Sequence, residues 1–240
     1  MKKQKNQRLW ELDALRGIAI ILVVLFHVFF DLETFFGINR ISIQKGFWYY
    51  EGRVGAIIFI VLVGVVSSLI CRREDRTIAL QKNSYRGLRL IGWGLLITLV
   101  TFILDCNNTI WFGILHFLGL SILIGIPLCK YRWINLLLAL ALFISYFPIR
   151  QIYTNDYFGL IFGVIPAGFT SYDHYALIPW LGYVLIGIAL GNWLYANKRP
   201  LIKRDPTRTE EALAAAGKYS LWIYLIHQPI LLGIMWLILE

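Results

Sequence analysis

Charged residues are scarce in this chain. Asp, Glu, Lys and Arg make up 15% of its 240 residues, whereas soluble domains carry about a quarter. Hydrophobic residues make up 58%, and the mean hydropathy is +0.65. This shortage of charge excludes a typical soluble protein. The formal net charge of +9 would suggest nucleic-acid binding in a soluble chain, but in a membrane chain it reflects topology. We therefore expect an integral membrane protein, with the lipid bilayer as a partner and no nucleic-acid partner.

Cysteine and metal-ligand patterns are also sparse. Three cysteines, Cys71, Cys106 and Cys129, form no disulfide framework. The topology predicted below places Cys71 and Cys129 on the cytoplasmic side and Cys106 on the other, and we expect no obvious pair. The four histidines show no HxxxH or HExxH spacing, and three of them fall on different predicted spans. We therefore expect no metal site.

Long apolar segments dominate what is present. Seven of them approach the roughly 20 residues that a helix needs to cross a bilayer. They are Leu12–Asp31, Gly52–Cys71, Leu88–Asp105, Ile110–Leu128, Trp133–Phe147, Tyr175–Tyr195 and Tyr219–Leu239. No small-residue cleavage site follows the first segment, so we interpret it as a span rather than a signal peptide. The sequence predicts an all-α, polytopic membrane helix bundle, with residues 1–240 as a single domain.

A shorter apolar segment, Tyr157–Phe169, contains Pro166. Its length is too small for a span, and we expect a re-entrant or interfacial element. The fifth predicted span is also short, which leaves three alternatives. It crosses with little tilt, it is extended by the residues up to Ile149, or it crosses incompletely.

Basic residues are distributed unevenly between the loops. Eighteen of the 23 Lys and Arg residues lie in the N-terminal segment and in the loops after the second, fourth and sixth spans, and four lie in the opposite loops. The positive-inside rule therefore places the N-terminus in the cytoplasm and the C-terminus outside. An odd number of spans without a detectable repeat argues against the commonest two-fold transporter designs.

The first span carries polar groups on one face. Arg16 and His27 are eleven residues apart, about three helical turns and roughly 16 Å along the axis. Asp31 follows His27 by four residues and shares that face. Polar groups at membrane depth usually face the protein interior or a wet cavity. The structural alternative is a buried His27 that bonds a neighbouring helix, while Arg16 and Asp31 reach the two interfaces.

The other three histidines also avoid the cytoplasmic loops. His116 lies in the outer part of the fourth span, His174 stands beside Asp173 at the outer entrance of the sixth, and His227 lies near mid-membrane. A polar stripe accompanies His227 on the last span, formed by Ser220, Tyr224, His227 and Gln228. Three interpretations compete: a His–carboxylate general base, a metal site, which we consider weak, and a polar pathway for an ion or solute.

Several motifs resemble one family. The sequence LDALRG at 12–17, which leads to His27, is similar to the opening motif of membrane acyltransferases. Three later stretches resemble bacterial relatives of the heparan-alpha-glucosaminide N-acetyltransferase catalytic domain. They are GILHFLG at 113–119, LIPWLG continuing to GIALG at 177–191, and GKYSLWIYLIHQP at 217–229. The Arg16-to-His27 spacing is also similar to that of the acyltransferase-3 family, which acylates cell-surface carbohydrates.

The resemblance implies transfer of an acetyl group from cytoplasmic acetyl-CoA to an amino or hydroxyl group of a sugar or cell-envelope glycan. In the animal heparan enzyme an Asn matches His27, and the histidine held to be catalytic lies in the following outer loop. That loop, Leu32 to Glu51, contains no histidine here. The catalytic role of His27 is therefore carried over from the acyltransferase-3 pattern, and the acceptor stays open.

These observations give a set of expected site residues. The catalytic candidates are His27, Asp31, His116 and His227. The candidates for binding the phosphates of acetyl-CoA are Arg16, Arg72 and Arg73. The candidates for binding the acceptor are Gln228, Tyr224, Asp173 and His174. The rival function is a small-solute or ion transporter that uses the same polar groups, and a non-catalytic scaffold is a third. The expected location is a bacterial plasma membrane, and a homodimer is compatible with the sequence.

Overall fold

A computed structural model describes residues 9–38, 43, 45–152, 154, 157–197 and 200–239. These residues form helices and loops without a strand, which confirms the all-α class. The helices are α1 Trp10–Thr34, α2 Phe47–Arg73, α3 Arg76–Leu104, α4 Ile114–Gly125, α5 Trp133–Ile149, α6 Leu177–Leu194, α7 Arg208–Lys218 and α8 Ser220–Leu239. The basic residues Lys2, Lys3, Lys5, Arg8, Arg40, Lys198 and Arg199 lie outside the described residues.

Five helices of the described residues are long and apolar enough to cross a membrane: α1, α2, α3, α6 and α8. The helices α4 and α5 are apolar but shorter, so the count of seven spans and the placement of the termini stay predictions. Helix α4 is buried on every side from Ile114 to Gly119. A helix enclosed by protein is not bound by the length that contact with lipid requires, which explains its twelve residues.

Several boundaries differ from the predicted spans. Helix α3 begins at Arg76 rather than Leu88, because the basic segment before the apolar run is itself rich in helix-forming residues. Helix α7 was not predicted, and a Thr207–Glu210 capping box starts it. Within the segment predicted to be re-entrant or interfacial, a 3₁₀ helix spans Tyr157–Ile161.

The described chain separates into two compact units. The first comprises the chain up to Phe59 together with residues from Arg199 onward, and so contains α1, the beginning of α2, α7 and α8. Within it α1 contacts both α7 and α8. Gly17 of α1 faces the carbonyl of Leu213, and Gly217 of α7 faces the carbonyl of Asp13 so closely that a side chain at either position would overlap backbone. Glycine therefore permits the close approach of α1 and α7.

The second unit runs from Ile60 to Lys198. In this unit α3 packs on α4, α5 packs on α6, and α4 also contacts α6. The C-terminal half of α2 crosses α6 at small residues, since Gly64 meets the carbonyl of Val184 and Gly187 meets the carbonyl of Val61. The small-residue face GIALG at 187–191 thus has the packing role that small residues typically have between membrane helices.

A disulfide joins Cys71 of α2 to Cys129 in the turn after α4. The prediction that no cysteine pair exists was therefore wrong. The reason is that α4 returns the chain to the end of α2, a tertiary contact that cysteine count and spacing do not encode. Cys106 is a free, exposed cysteine.

Candidate active site

His27 occupies the C-terminal half of α1 with a defined orientation. Its Nδ1 lies 2.7 Å from the carbonyl oxygen of Val23, one turn earlier. Since a carbonyl oxygen only accepts hydrogen bonds, the proton of the neutral imidazole sits on Nδ1. The opposite nitrogen, Nε2, therefore carries a lone pair and is the basic atom of this side chain.

His227 of α8 has the same arrangement. Its Nδ1 lies 2.5 Å from the carbonyl oxygen of Tyr224, so Nδ1 again donates and Nε2 again carries the lone pair. This Nε2 is buried and has no hydrogen-bond partner among the described residues. The rings of His27 and His227 meet edge to face, with their centroids 4.7 Å apart. Two helices thus present two basic imidazoles to each other.

Asp31 and Gln228 form the second link between α1 and α8. Nε2 of Gln228 donates to Oδ1 of Asp31 at 2.6 Å, and Asp31 is fully buried. The interpretation of a His–carboxylate general base would have Asp31 orient His27 from the same helix face, but the Nδ1 of His27 bonds to its own helix instead. That expectation was wrong because α8 supplies an amide donor that helical spacing on α1 alone does not reveal.

The cluster is rich in hydrogen-bond acceptors. Asp31 Oδ2, Gln228 Oε1 and His227 Nε2 are buried without a partner in the described part of the chain, and His27 contributes its Nε2 lone pair. Buried polar atoms are normally hydrogen-bonded, so such a concentration indicates a place for a ligand or ordered water. The natural complement is a group that brings N–H or O–H donors.

Aromatic rings surround the two histidines. Phe26 and Phe30 flank His27 at centroid distances of 5.5 and 6.0 Å, and the Tyr224 ring lies 5.3 Å from His227. Tyr224 therefore contributes both its carbonyl oxygen and its ring. An apolar shell lowers the local dielectric constant and strengthens the electrostatic interactions inside it.

Arg16 stands at the opposite end of α1 and is not a lone cation. Its Nη1 pairs with Oδ1 of Asp13 at 3.1 Å, and Asp13 is buried. Glu11, also buried, accepts a hydrogen bond from the backbone N–H of Leu201 at 3.0 Å. The sequence pointed to Arg16 but missed Asp13, although the i, i+3 spacing of the two residues was visible.

His116 belongs to the second unit, where other residues enclose it. Its Nε2 lies 3.5 Å from Oγ1 of Thr98, and the Phe112 ring stacks on it at a centroid distance of 5.9 Å. Its Nδ1 faces Gly94 so closely that a side chain there would contact the ring. These contacts suit a packed core histidine, and the catalytic role of His116 stays a prediction.

Asp173 and His174 also lie in the second unit and make structural contacts. Oδ2 of Asp173 accepts the backbone N–H of Ile114 at 2.8 Å, which caps the start of α4. Burial raises the pKa of Asp173 to about 6. Nε2 of His174 bonds to the carbonyl of Leu160 at 3.0 Å, and burial lowers the pKa of this histidine. Their predicted role in acceptor binding is a separate hypothesis.

The other candidates for binding the phosphates of acetyl-CoA lie at the C-terminal end of α2, in the second unit. Arg72 donates from Nε to Oδ1 of Asn192 at 2.6 Å, and Arg73 follows it in the last turn of the helix.

The described residues contain no group of three or more His, Cys, Asp or Glu side chains arranged to hold a metal ion. The structure thus brings together His27, His227, Asp31, Gln228 and Tyr224 in one unit, with Arg16 on the same helix as His27.

Comparison with known proteins adds a family to this geometry. Searches of curated proteins and of solved structures found no match for the chain. The family described as heparan-alpha-glucosaminide N-acetyltransferase, catalytic, matches residues 8–229, nearly the whole length. That family suggests a membrane acetyltransferase, in agreement with the apolar helices. The chain belongs to the heparan-alpha-glucosaminide N-acetyltransferase catalytic domain family.

Proposed function

We propose that this protein transfers an acetyl group from cytoplasmic acetyl-CoA to a hydroxyl or amino group of a sugar or glycan at the cell envelope of a bacterium. The observation that carries the proposal is the His27–His227 pair, in which both Nδ1 atoms bond to backbone carbonyls. Both basic Nε2 atoms are therefore left to accept protons from a ligand. Family membership supports the acetyl group as the group transferred.

The reaction requires a base and a place for the developing negative charge. Nε2 of His27 accepts the proton of the acceptor hydroxyl or amine as its oxygen or nitrogen attacks the thioester carbonyl carbon. The C–S bond then breaks, and the imidazolium returns the proton to the departing thiolate of coenzyme A. The Nε2 atom of His227 is also a hydrogen-bond acceptor. It accepts a second N–H of an amine nucleophile, or it shares the transferred proton with His27.

The oxyanion of the tetrahedral intermediate needs a hydrogen-bond donor. A neutral His227 with its proton on Nδ1 offers none from Nε2. Gln228 carries a second N–H beside the one that it donates to Asp31, and we assign this N–H to the oxyanion. The Asp31–Gln228 hydrogen bond would then hold the amide in place.

Among the residues predicted to bind acetyl-CoA, Arg16 lies on the same helix as His27. The axial separation of roughly 16 Å between the two is comparable to the length of the pantetheine arm of coenzyme A. We assign the guanidinium, held by Asp13, to a phosphate of the donor. Arg72 and Arg73 are further candidates for the phosphates.

Acetyl-CoA binding is tested by thermal unfolding of the detergent-purified protein. A ligand at 100 times its dissociation constant stabilises the folded state by about 2.7 kcal/mol. We expect a higher unfolding temperature with acetyl-CoA, a smaller rise in Arg16→Ala, and an unchanged rise in Lys203→Ala, which removes an exposed cation. No rise at millimolar acetyl-CoA would contradict the proposal.

The transporter hypothesis rests on the same acceptor atoms, because Asp31 Oδ2, Gln228 Oε1 and the two imidazole Nε2 atoms would also suit a cation or a polar solute. It predicts solute or ion flux into vesicles without acetyl-CoA. The acetyltransferase proposal predicts release of free coenzyme A that depends on an acceptor.

A further inference from the structure

The disulfide of the second unit lies in an enclosed position. Cys71 and Cys129 are 6% and 5% exposed, and Ala79 and Ile70 pack against them. Cys71 occupies the last turns of α2, and Cys129 lies 58 residues further along the chain. The link therefore closes a long loop that contains α3 and α4.

Polar side chains connect this disulfide to Arg72. Nδ2 of Asn192 donates to the carbonyl oxygen of Cys129 at 2.9 Å, while Oδ1 of the same amide accepts from Nε of Arg72 at 2.6 Å. Because Arg72 directly follows Cys71, the covalent link and the two hydrogen bonds form a closed ring. Asn83 adds a contact of 3.5 Å from its Nδ2 to Sγ of Cys71.

The charge around the pair indicates its compartment. Arg72 and Arg73 follow one cysteine, and Lys130 and Arg132 follow the other. The positive-inside rule assigns such loops to the cytoplasm, where glutathione and thioredoxin systems keep most thiols reduced. A disulfide at this place is therefore expected to exchange with the cytoplasmic thiol pool rather than to persist.

We infer that Cys71 and Cys129 form a reversible thiol–disulfide site that reacts with a low-molecular-weight disulfide of the glutathione type. Oxidation removes two electrons and two protons from the two thiols and forms the S–S bond. Glutathione disulfide receives them and yields two glutathione thiols. Its negative charges are attracted by the basic residues around the site.

The short turn that carries Cys129 provides the access that exchange requires. Backbone hydrogen bonds of the i to i+3 type hold this turn, including Leu128 to Gly125 and Tyr131 to Leu128. Such a turn opens locally more readily than a helix interior. We expect local opening of this turn to expose Sγ of Cys129.

The test counts free thiols in native membranes that hold the full chain with Cys106→Ser. Membranes are equilibrated at a series of reduced-to-oxidised glutathione ratios, quenched with acid, denatured and labelled with a maleimide-polyethylene glycol. We expect two tags per chain at reducing ratios and none at oxidising ratios, with reversal when the ratio is reversed. Cys71→Ser in the same background should take one tag at reducing ratios and lose it at oxidising ratios, where Cys129 keeps a mixed disulfide with glutathione because the thiol that would resolve it is missing.

Two outcomes would overturn the inference. Two tags at every ratio would mean that no link forms. No tag at any ratio, although the chain takes two after denaturation with dithiothreitol, would mean a permanent structural disulfide on an oxidising side of the membrane.

A consequence for Arg72 rests on the proposed function. If this guanidinium binds donor phosphates, acetyl-CoA should bind more tightly to the oxidised protein than to the reduced protein, and Cys71→Ser should abolish the difference. The tag count is independent of acetyl-CoA. Absence of acetyl-CoA binding in both states would therefore contradict the proposed function and leave the thiol–disulfide site standing.

Discussion

At the scale of single residues, the Asp31–Gln228 contact compensates a buried carboxylate. Asp31 is 0% exposed, and the amide of Gln228 donates to it at 2.6 Å. Leaving a buried charged group without its partner costs more than the bond itself contributes. The pair therefore fixes α8 on α1 at the level of the two histidines.

A double-mutant cycle tests this link. Asp31→Ala and Gln228→Ala should each destabilise the protein by about 1–3 kcal/mol. The double variant should be more stable than the sum predicts, with a coupling energy of about 0.5 kcal/mol or more. Denaturant unfolding in detergent measures all four proteins. Strict additivity would contradict a direct interaction.

Asp173 gives a pH dependence outside the spans. Burial raises its pKa from 3.8 to about 6, so between these values the folded protein holds a proton that the unfolded chain has released. This contribution to stability is complete below about pH 4 and is lost as the pH rises through about 6. Compared with Asp173→Asn, the wild type should lose on the order of 2–3 kcal/mol between about pH 4 and pH 7.

Asp105→Asn serves as a control for that measurement, because the pKa of Asp105 is shifted in the opposite direction. Hydrogen bonds, first from Asn108 and then from Tyr172, lower the pKa of Asp105. Its contribution is present at neutral pH and is lost on acidification. The two variants should therefore show slopes of opposite sign against the wild type, and equal slopes would contradict the assignment.

Part of the residue-level site was predictable from the sequence. Helical spacing placed His27 and Asp31 on one face of α1, and the polar stripe identified His227 and Gln228 on α8. The partners of the imidazole nitrogens were not predictable, because backbone carbonyls are present at every position. The Asp31–Gln228 bond was missed because it depends on how α8 packs on α1.

At the scale of elements, glycine contacts define two helix crossings. Gly17 allows α7 to approach α1 in the first unit, and Gly187 allows α6 to approach α2 in the second. A methyl group at either position would collide with a backbone carbonyl, which cannot rotate away as a side chain can. These positions therefore tolerate no side chain without moving a helix.

Alanine substitutions test the crossings with internal controls. Gly17→Ala and Gly187→Ala should each destabilise by about 1–3 kcal/mol. At Gly92 of α3 and Gly233 of α8, a methyl group would meet no atom within 4 Å, so Gly92→Ala and Gly233→Ala should be neutral or stabilise by up to about 1 kcal/mol. Thermal unfolding of the four variants measures the difference, and equal effects in both pairs would contradict the packing account.

The elements were predicted unequally well. The apolar runs identified most of the helices, since hydropathy over about 20 residues is a strong signal. Helix α7 was missed because its eleven residues are amphipathic rather than apolar, and the capping-box spacing from Thr207 to Glu210 was its available signal. The early start of α3 was missed because a run of charged residues beside an apolar segment is also typical of a loop.

At the scale of the whole molecule, the chain is a helical membrane protein of the heparan-alpha-glucosaminide N-acetyltransferase catalytic domain family. The motifs of the first, fourth, sixth and seventh predicted spans were sufficient to identify this family. The side on which each loop lies remains a prediction of the positive-inside rule. The acceptor was not predictable. The polar cluster of His27, Asp31, His227 and Gln228 favours a ligand with N–H or O–H groups, and every sugar carries such groups.

We propose that the His27–His227 pair performs acetyl transfer. The most direct measurement is acceptor-dependent release of coenzyme A from acetyl-CoA by the purified protein, with cell-envelope glycan fragments and simple amino and neutral sugars as acceptors. His27→Gln should reduce the rate by about 100- to 10,000-fold while the unfolding temperature changes little, and Gly92→Ala should retain the wild-type rate. Full activity of a folded His27→Gln variant would exclude His27 as the base of the reaction.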